Sequence, residues 1–111
     1  MTQQIVVGQI VFSKSGRDKG LPFVVCIIED NFVYLIDGNL RKMENPKKKN
    51  VIHIQKTNHM TELADVLRRV YETGYNKSLA NQHLLKDSDI KKTIIASLTV
   101  TEEGLPCPKA T

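Results

Sequence analysis

The chain has 111 residues, 41% of them apolar, and a formal net charge of +4 at pH 7. A chain of this length forms one domain, or a small domain with an extension, and buries only about two thirds of its unfolded surface, which argues against a large active-site cleft. The positive charge is uneven: residues 1–58 contain nine Lys/Arg against five Asp/Glu, whereas residues 59–111 contain seven of each. The excess positive charge therefore lies in the first half and favours an anionic partner there.

The first half of the chain predicts a small β-structure. Runs rich in branched and aromatic residues predict strands at 8–13, 23–28 and 32–36. Asp30-Asn31 and Asp37-Gly38 predict tight turns after the second and third strands. Shorter strands are predicted at 40–43 and 51–55. Five short strands within about 50 residues favour a closed barrel, which has no exposed edges.

The second half changes to a helical period. Five apolar residues at helical spacing predict a helix over 61–72 that ends near Gly74. These apolar residues are Leu63, Val66, Leu67, Val70 and Tyr71. Asp87-Ser88-Asp89 predicts the start of a second helix, in which Ile90, Ile94 and Leu98 share one face.

The predicted fold class is therefore β+α: a five-stranded barrel over residues 1–58, two short helices over residues 59–100 and a flexible tail over residues 101–111, which contains Pro106 and Pro108. A lone helix of about three turns is marginal in water, so the apolar stripe must be buried. We expect it to pack on the other helix and the barrel. The alternative is that the stripe binds a protein partner or a second copy of the chain.

Targeting signals are not apparent. No stretch approaches the roughly 18 apolar residues of a membrane span, and the N-terminal residues lack the pattern of a signal peptide. Cys26 lies in an apolar run and Cys107 in the Pro-rich tail, which is typical of neither a disulfide framework nor a metal pair. We expect a cytoplasmic protein with no membrane partner, in which Cys26 is a core residue.

A glycine-rich basic loop is the most informative motif. Ser13-Lys14-Ser15-Gly16-Arg17-Asp18-Lys19-Gly20 places three cations and two glycines between two apolar runs. Its residue order and the strand that follows exclude a phosphate-binding Walker loop, and with it nucleotide hydrolysis. Gly20 is expected to need a positive φ or a close approach that a side chain forbids. The loop suits an anion, with nucleic acid as the first candidate; the alternative is a turn with solvated charges.

A second basic element follows the predicted fourth strand. Lys47-Lys48-Lys49 is expected in the loop before the fifth strand, and Arg41 and Lys42 precede it. Because a fifth strand that returns beside the first would bring this loop to the glycine loop, the two could form one rim that follows phosphates, although lysine runs are often only solvated. The predicted RNA-binding residues are Lys14, Arg17, Lys19, Gly20, Arg41, Lys42, Lys47, Lys48 and Lys49.

Other chemistries have little support in the sequence. His53, His59 and His83 show no metal-ligand spacing, and Ser13 and Ser15 have no histidine partner that the sequence can identify. We expect no enzyme activity, metal or cofactor. The three Phe and three Tyr lie mostly at core-like positions, so no base-stacking surface is indicated and phosphates and 2′-hydroxyls are the expected contacts.

The segment from Val7 through the glycine loop to Ile28 resembles a KOW motif. The wider stretch, roughly residues 5–57 and including Asp37-Gly38-Asn39-Leu40-Arg41-Lys42 and Pro46-Lys47-Lys48-Lys49, is similar to bacterial KOW-domain RNA-binding proteins related to archaeal and eukaryotic large-subunit ribosomal proteins. The resemblance implies an SH3-like barrel, a glycine at position 20 that shapes the binding loop, and ribosomal or other structured RNA as the ligand. It leaves open a ribosome component, an assembly factor or a free regulator. Docking of a translation or transcription protein is the alternative function.

Overall fold

The computed structural model describes residues 5–99, which form one antiparallel sheet and three α-helices. The β+α class is therefore confirmed, while the predicted tail at 101–111 lies outside the described residues. In chain order the elements are β1 (Gln9–Ser13), β2 (Pro22–Glu29), β3 (Phe32–Ile36), β4 (Lys47–Asn50), β5 (Ile54–Met60), α1 (Ala64–Val70), α2 (Lys77–Gln82) and α3 (Asp87–Thr99). A 3-10 helix, Val51–His53, joins β4 to β5.

The first three strands lie where the sequence predicts them. They occupy the centre of a sheet with strand order β4-β3-β2-β1-β5. The tight turn at Asp30-Asn31 is confirmed, since Glu29 pairs with Phe32 across it and Asp30 adopts a φ of +54°. Asp and Asn tolerate this left-handed conformation better than most side chains. β5 returns beside β1, as predicted, with Ser13 opposite Ile54.

The predictions for the last two strands are partly wrong. Residues 40–43 form bends and turns, because the Asp37 carboxylate accepts hydrogen bonds from the backbone N–H groups of Asn39 (2.9 Å) and Arg41 (2.8 Å) and closes a local loop. The lysine run predicted in a loop is itself β4. Residues 51–53 are helical because Asn50 accepts a hydrogen bond from the N–H of Ile52 (3.0 Å), so β5 begins only at Ile54.

The sheet is open, and the predicted barrel closure is not confirmed. β4 and β5 are its two edges, and no strand ladder joins them in the described part of the chain. One face of the sheet nevertheless buries a compact apolar cluster of Val11, Phe23, Val25, Val33, Leu35 and Ile54. The strand register shifts between Gln9 and Val11 and between Val25 and Ile27. Such irregularities bend strands, which helps the sheet to curve around this cluster.

The helices cover the opposite face of the sheet. Leu67, Val70 and Tyr71 of the predicted stripe are buried in the same cluster as Ile10 and Val24 of the sheet. The expected packing of the helices on the sheet is therefore found. Leu63 and Val66 are half-buried against the cluster and complete the stripe.

The sequence predicted two helices, but residues 5–99 contain three. α2 was missed because six residues are too few to show a helical period; its N-terminus is capped by Asn76, which accepts from the N–H of Leu79 (3.0 Å). α3 begins at Asp87 as predicted, and Ile90 is buried, whereas Leu98 is exposed.

The loop between β3 and β4 is fixed to the helical layer. The N–H of Met43 donates to the carboxylate of Asp87 (2.7 Å), and the buried Tyr71 hydroxyl donates to the carbonyl oxygen of Met43 (2.6 Å). Gly38 has a φ of +78°, and any side chain there would overlap the carbonyl oxygen of Asp87. The sheet and the helices are thus joined by a polar contact as well as by the apolar cluster.

Candidate nucleic-acid interface

In the structure Ser13 belongs to β1, so the glycine-rich loop comprises residues 14–21, and backbone hydrogen bonds close its base. Gly20 N–H donates to the carbonyl oxygen of Ser13 (2.8 Å), and Ser13 N–H donates to that of Leu21 (3.0 Å). Gly20 has a φ of +86° and open space where a side chain would stand. Glycine is therefore suited to this position by its backbone conformation, not by a close contact.

Asp18 is the centre of a buried polar cluster inside the loop. One carboxylate oxygen accepts from the Ser13 hydroxyl (2.7 Å) and lies 3.2 Å from the Lys49 ammonium; the other lies 3.3 Å from the Lys47 ammonium. Lys49 also donates to the carbonyl oxygen of Ser15 (3.0 Å). We call Ser13, Asp18, Lys47 and Lys49 the Asp18 cluster. These contacts connect the glycine-rich loop to β4.

The topology explains why β4 reaches this loop. Only Val51–His53 separates the end of β4 from Ile54, and Ile54 pairs with Ser13 at the end of β1. The end of β4 is thereby placed beside the start of the loop. Lys47 and Lys49 pair across the ladder with Leu35 and Val33, so they lie on the face of the sheet that holds the first apolar cluster.

The surroundings of Asp18 favour the charged form of its carboxyl group. Burial alone would raise the pKa of Asp18, but the hydrogen bonds from Ser13 and Lys49 and the ion pair with Lys47 outweigh burial and lower this pKa to about 2. Asp18 is therefore ionised at neutral pH, and its negative charge is held inside the loop against two lysines of β4.

The remaining cations of the glycine-rich loop point to solvent. Lys14, Arg17 and Lys19 are exposed, and within residues 5–99 their side chains form no hydrogen bond or ion pair. The loop that carries Arg41 and Lys42 joins β3 to β4, and its Met43 is hydrogen-bonded to Asp87 and Tyr71 of the helical layer. Lys42 is exposed and Arg41 is half-buried. No described hydrogen bond or ion pair joins either residue to the glycine-rich loop.

The structure therefore divides the predicted lysine run. Lys47 and Lys49 lie at the glycine-rich loop, as predicted, but they do so as internal partners of Asp18, and Lys49 is buried. Lys48 lies on the opposite face, with its ammonium 4.6 Å from the ring centre of Phe32 and 5.9 Å from that of Tyr34. Successive side chains of a strand point to opposite faces of the sheet, so the three lysines have different surroundings, which a loop would not have imposed.

An open groove of about 490 Å³ lies beside Lys14, between the β2–β3 turn and the 3-10 helix. Its wall includes Ile28 and Ile52, which are both exposed, and the base is formed by Val33 and Ile54. Lys14, Asp30 and Asn31 complete the lining, so the groove is mixed in character, with a cation and an acid beside its apolar side chains.

Other kinds of site find no support in the described residues. Across residues 5–99 no three His, Cys, Asp or Glu side chains are grouped closely enough to hold a metal ion. Within the same range no helix has the length and apolar character needed to cross a membrane. Comparison with known protein families gives no match, and comparison with curated proteins gives none either.

Proposed function

We propose that this protein binds RNA through the glycine-rich loop, with Lys14, Arg17 and Lys19 contacting phosphates. One observation carries the proposal: the loop exposes three cations that have no partner among residues 5–99, while its only acid is buried and paired with lysines from another strand. A loop with free Asp18 would present three positive charges and one negative charge. The Asp18 cluster removes the negative one from the surface.

The fixed shape of the loop also supports binding. The hydrogen bonds at its base and the contacts of Asp18 with Ser13 and Lys49 restrict the loop before any ligand arrives. A restricted loop loses less conformational entropy on binding, so more of the phosphate attraction is available as affinity. Lys47 and Lys49 are then positioning residues within the proposed RNA-binding set.

Arg41, Lys42 and Lys48 complete this set in our proposal. The first two stand on the loop 37–46 that leads into β4, and Lys48 stands on β4 itself, the strand that the Asp18 cluster joins to the glycine-rich loop. An RNA that spans these cations would be recognised by the spacing of its phosphates and by its 2′-hydroxyls, which favours structured RNA. Gly20 contributes the backbone conformation of the loop.

The KOW resemblance and the SH3-like barrel belong to the same proposal. The curved five-stranded sheet, with its two edge strands linked by a single 3-10 helix, supports this description. Ribosomal RNA is the ligand that the resemblance favours, and the cytoplasm is the proposed location. The proposal involves no catalysis and no cofactor.

Binding of an RNA hairpin, measured at several salt concentrations, tests the proposal. Arg17→Gln/Lys19→Gln should weaken binding and make the slope of log K against log salt shallower by about 1.5 units, since each lost phosphate contact removes about 0.7–0.9. Arg69→Gln/Lys92→Gln on the helices is the matched control, because it removes the same charge from exposed positions. Equal slopes for both folded double variants would contradict the proposal.

Docking of a protein segment is a second candidate function, supported by the groove beside Lys14. The exposed Ile28 and Ile52 offer apolar contact, and Lys14 offers a charge at the rim. The stripe of α1 is less suited to this role, since Leu67, Val70 and Tyr71 are buried against the sheet. A protein that binds at Ile28 and Ile52 while RNA binding is absent would favour this alternative.

A further inference from the structure

Phe32, Tyr34 and Lys48 form a small surface at the β4 edge of the sheet, on the face that the helices cover, and Tyr34 packs in part against the helical cluster. The two rings stand at alternate positions of β3, so they share a face, and both are half-buried. Lys48 is opposite Tyr34 in the ladder, and its ammonium lies over both rings, at 4.6 Å and 5.9 Å from their centres. We call these three side chains the ring platform.

We propose that the ring platform binds an unpaired base of the RNA, with Lys48 contacting the adjoining phosphate; this inference rests on the RNA-binding function proposed above. Aromatic rings on a sheet surface accept stacked bases of any sequence, since every base has a π face. In the free protein the Lys48 ammonium covers the rings through cation–π attraction. An incoming base would take that place and leave the ammonium to the phosphate.

The charges around the rings favour a base over a phosphate at this position. The Tyr34 hydroxyl donates to the carboxylate of Glu29 (3.0 Å), which places a negative charge at one side of the platform. A phosphate there would be repelled by Glu29, whereas a neutral base would not. Lys48 extends from β4 over the rings of β3, and its ammonium is the group that would bind the phosphate.

The position of β4 connects the ring platform to the glycine-rich loop. β4 is an edge strand, so a ligand can pass around it from one face of the sheet to the other. Lys47 and Lys49 meet the glycine-rich loop on one face, and Lys48 stands on the other. An RNA strand that leaves Arg17 and Lys19 can therefore reach the rings around the edge of β4.

An alternative explanation assigns Lys48 only an intramolecular role. Lysines on edge strands hinder pairing with other chains, and a cation–π contact stabilises the fold without any ligand. This explanation predicts that Lys48 stays over the rings when RNA binds. Our proposal predicts that it moves away from them.

The test uses the full chain and a short single-stranded oligouridine that contains one 2-aminopurine. Stacking should quench the fluorescence of the 2-aminopurine, and Phe32→Leu should abolish the quenching and weaken binding about tenfold with an unchanged salt slope. Tyr75→Leu is the control, since Tyr75 is a half-buried ring of the helical layer and should leave quenching and affinity unchanged. The NMR signals of the Lys48 ε-protons, shifted by the ring currents in the free protein, should move towards ordinary values on binding.

Lys48→Gln is the second variant, because an exposed residue is replaced and folding should be retained. It should reduce the salt slope by up to about one unit. If the parent protein binds RNA but Phe32→Leu or Lys48→Gln behaves like the parent, the ring platform is wrong and the proposed function stands. If the parent binds neither hairpin nor oligouridine, the proposed function fails and the platform with it.

Discussion

At the scale of single residues, the contacts of Asp18 determine which charges of the glycine-rich loop reach the surface. The sequence shows Asp18 as one more loop charge, flanked by Arg17 and Lys19. The structure instead places its carboxylate inside the loop, against Ser13, Lys47 and Lys49. The sequence does not show this role, because the two lysine partners of Asp18 lie about 30 residues away and only the fold brings them together.

Asp18→Asn should lower the free energy of unfolding at pH 7 by about 2–3 kcal/mol, measured by urea denaturation. The variant leaves the buried Lys49 without its charge partner, and the pKa of Asp18, lowered from 3.8 to about 2, corresponds to a similar energy at about 1.4 kcal/mol per unit. Asp65→Asn is the control, since the pair of Asp65 with Arg68 is exposed and contributes at most about 0.5 kcal/mol.

The pH dependence has a definite sign. A carboxylate with a lowered pKa stabilises the folded state above its unfolded pKa of about 3.8, and the contribution is lost as the pH falls through about 2. The difference between parent and Asp18→Asn should therefore narrow from pH 4 to pH 2. A difference of the same size at pH 7 and pH 2 would mean that Asp18 acts by packing and not by charge.

At the scale of elements, β4 shows what a charge run means once its secondary structure is known. As a loop, Lys47-Lys48-Lys49 would have been three equivalent cations. As a strand, it divides into two residues directed at Asp18 and one directed at the rings of Phe32 and Tyr34. The sequence did not predict the strand, because consecutive lysines have little β-propensity and pairing with β3 decides the conformation.

The end of α2 carries a local conflict between sequence and conformation. Leu85 N–H donates to the carbonyl oxygen of Ala80 (2.8 Å) and Leu84 N–H to that of Asn81 (3.0 Å), the pattern of a Schellman C-cap. Leu84 occupies the position that glycine usually takes, with a φ of +57° and a side chain that is 77% exposed. The backbone of Leu84 is therefore strained, and its exposed side chain contributes little burial that could offset the strain.

Leu84→Gly should raise the free energy of unfolding by about 0.5 kcal/mol. Relief of the left-handed conformation gives about 1–2 kcal/mol, and the greater freedom of glycine in the unfolded chain opposes it by about 0.5–1 kcal/mol. Leu84→Ala separates the two effects, because it removes the side chain but keeps the backbone strain. An equal gain in both variants would assign the effect to the exposed side chain.

At the scale of the whole molecule, one sheet carries an apolar cluster on each face. The alternation along β1 to β3 sends Val11, Val25 and Leu35 to one cluster and Ile10, Val24 and Cys26 to the other. The sequence predicted the central strands, the apolar stripe of α1 and the start of α3, since each has a strong local pattern. It did not predict the division of the strands between two clusters, the short α2 or the open sheet, which depend on contacts between distant segments.

Cys26 provides a probe of whether the sheet and the helices unfold together. It is buried in the cluster that the two layers share, and burial raises its pKa to about 12, so the thiolate that reacts with alkylating reagents is scarce in the folded state. In a Cys107→Ser background, Cys26 should be labelled only at the rate of global unfolding. Amide exchange in β2 reports the loss of strand structure. Labelling of Cys26 that precedes this exchange would show that the helices leave the sheet first.

The central claim is that RNA meets this protein at the glycine-rich loop and not at the helices. Backbone NMR of the full chain, titrated with an RNA hairpin, tests it residue by residue. We expect the largest chemical-shift changes at residues 14–20, with further changes at Lys48 and along loop 37–46, and little change in α1 and α2. Changes confined to the helices or to the groove at Ile28 and Ile52, or no change at saturating RNA, would contradict the claim.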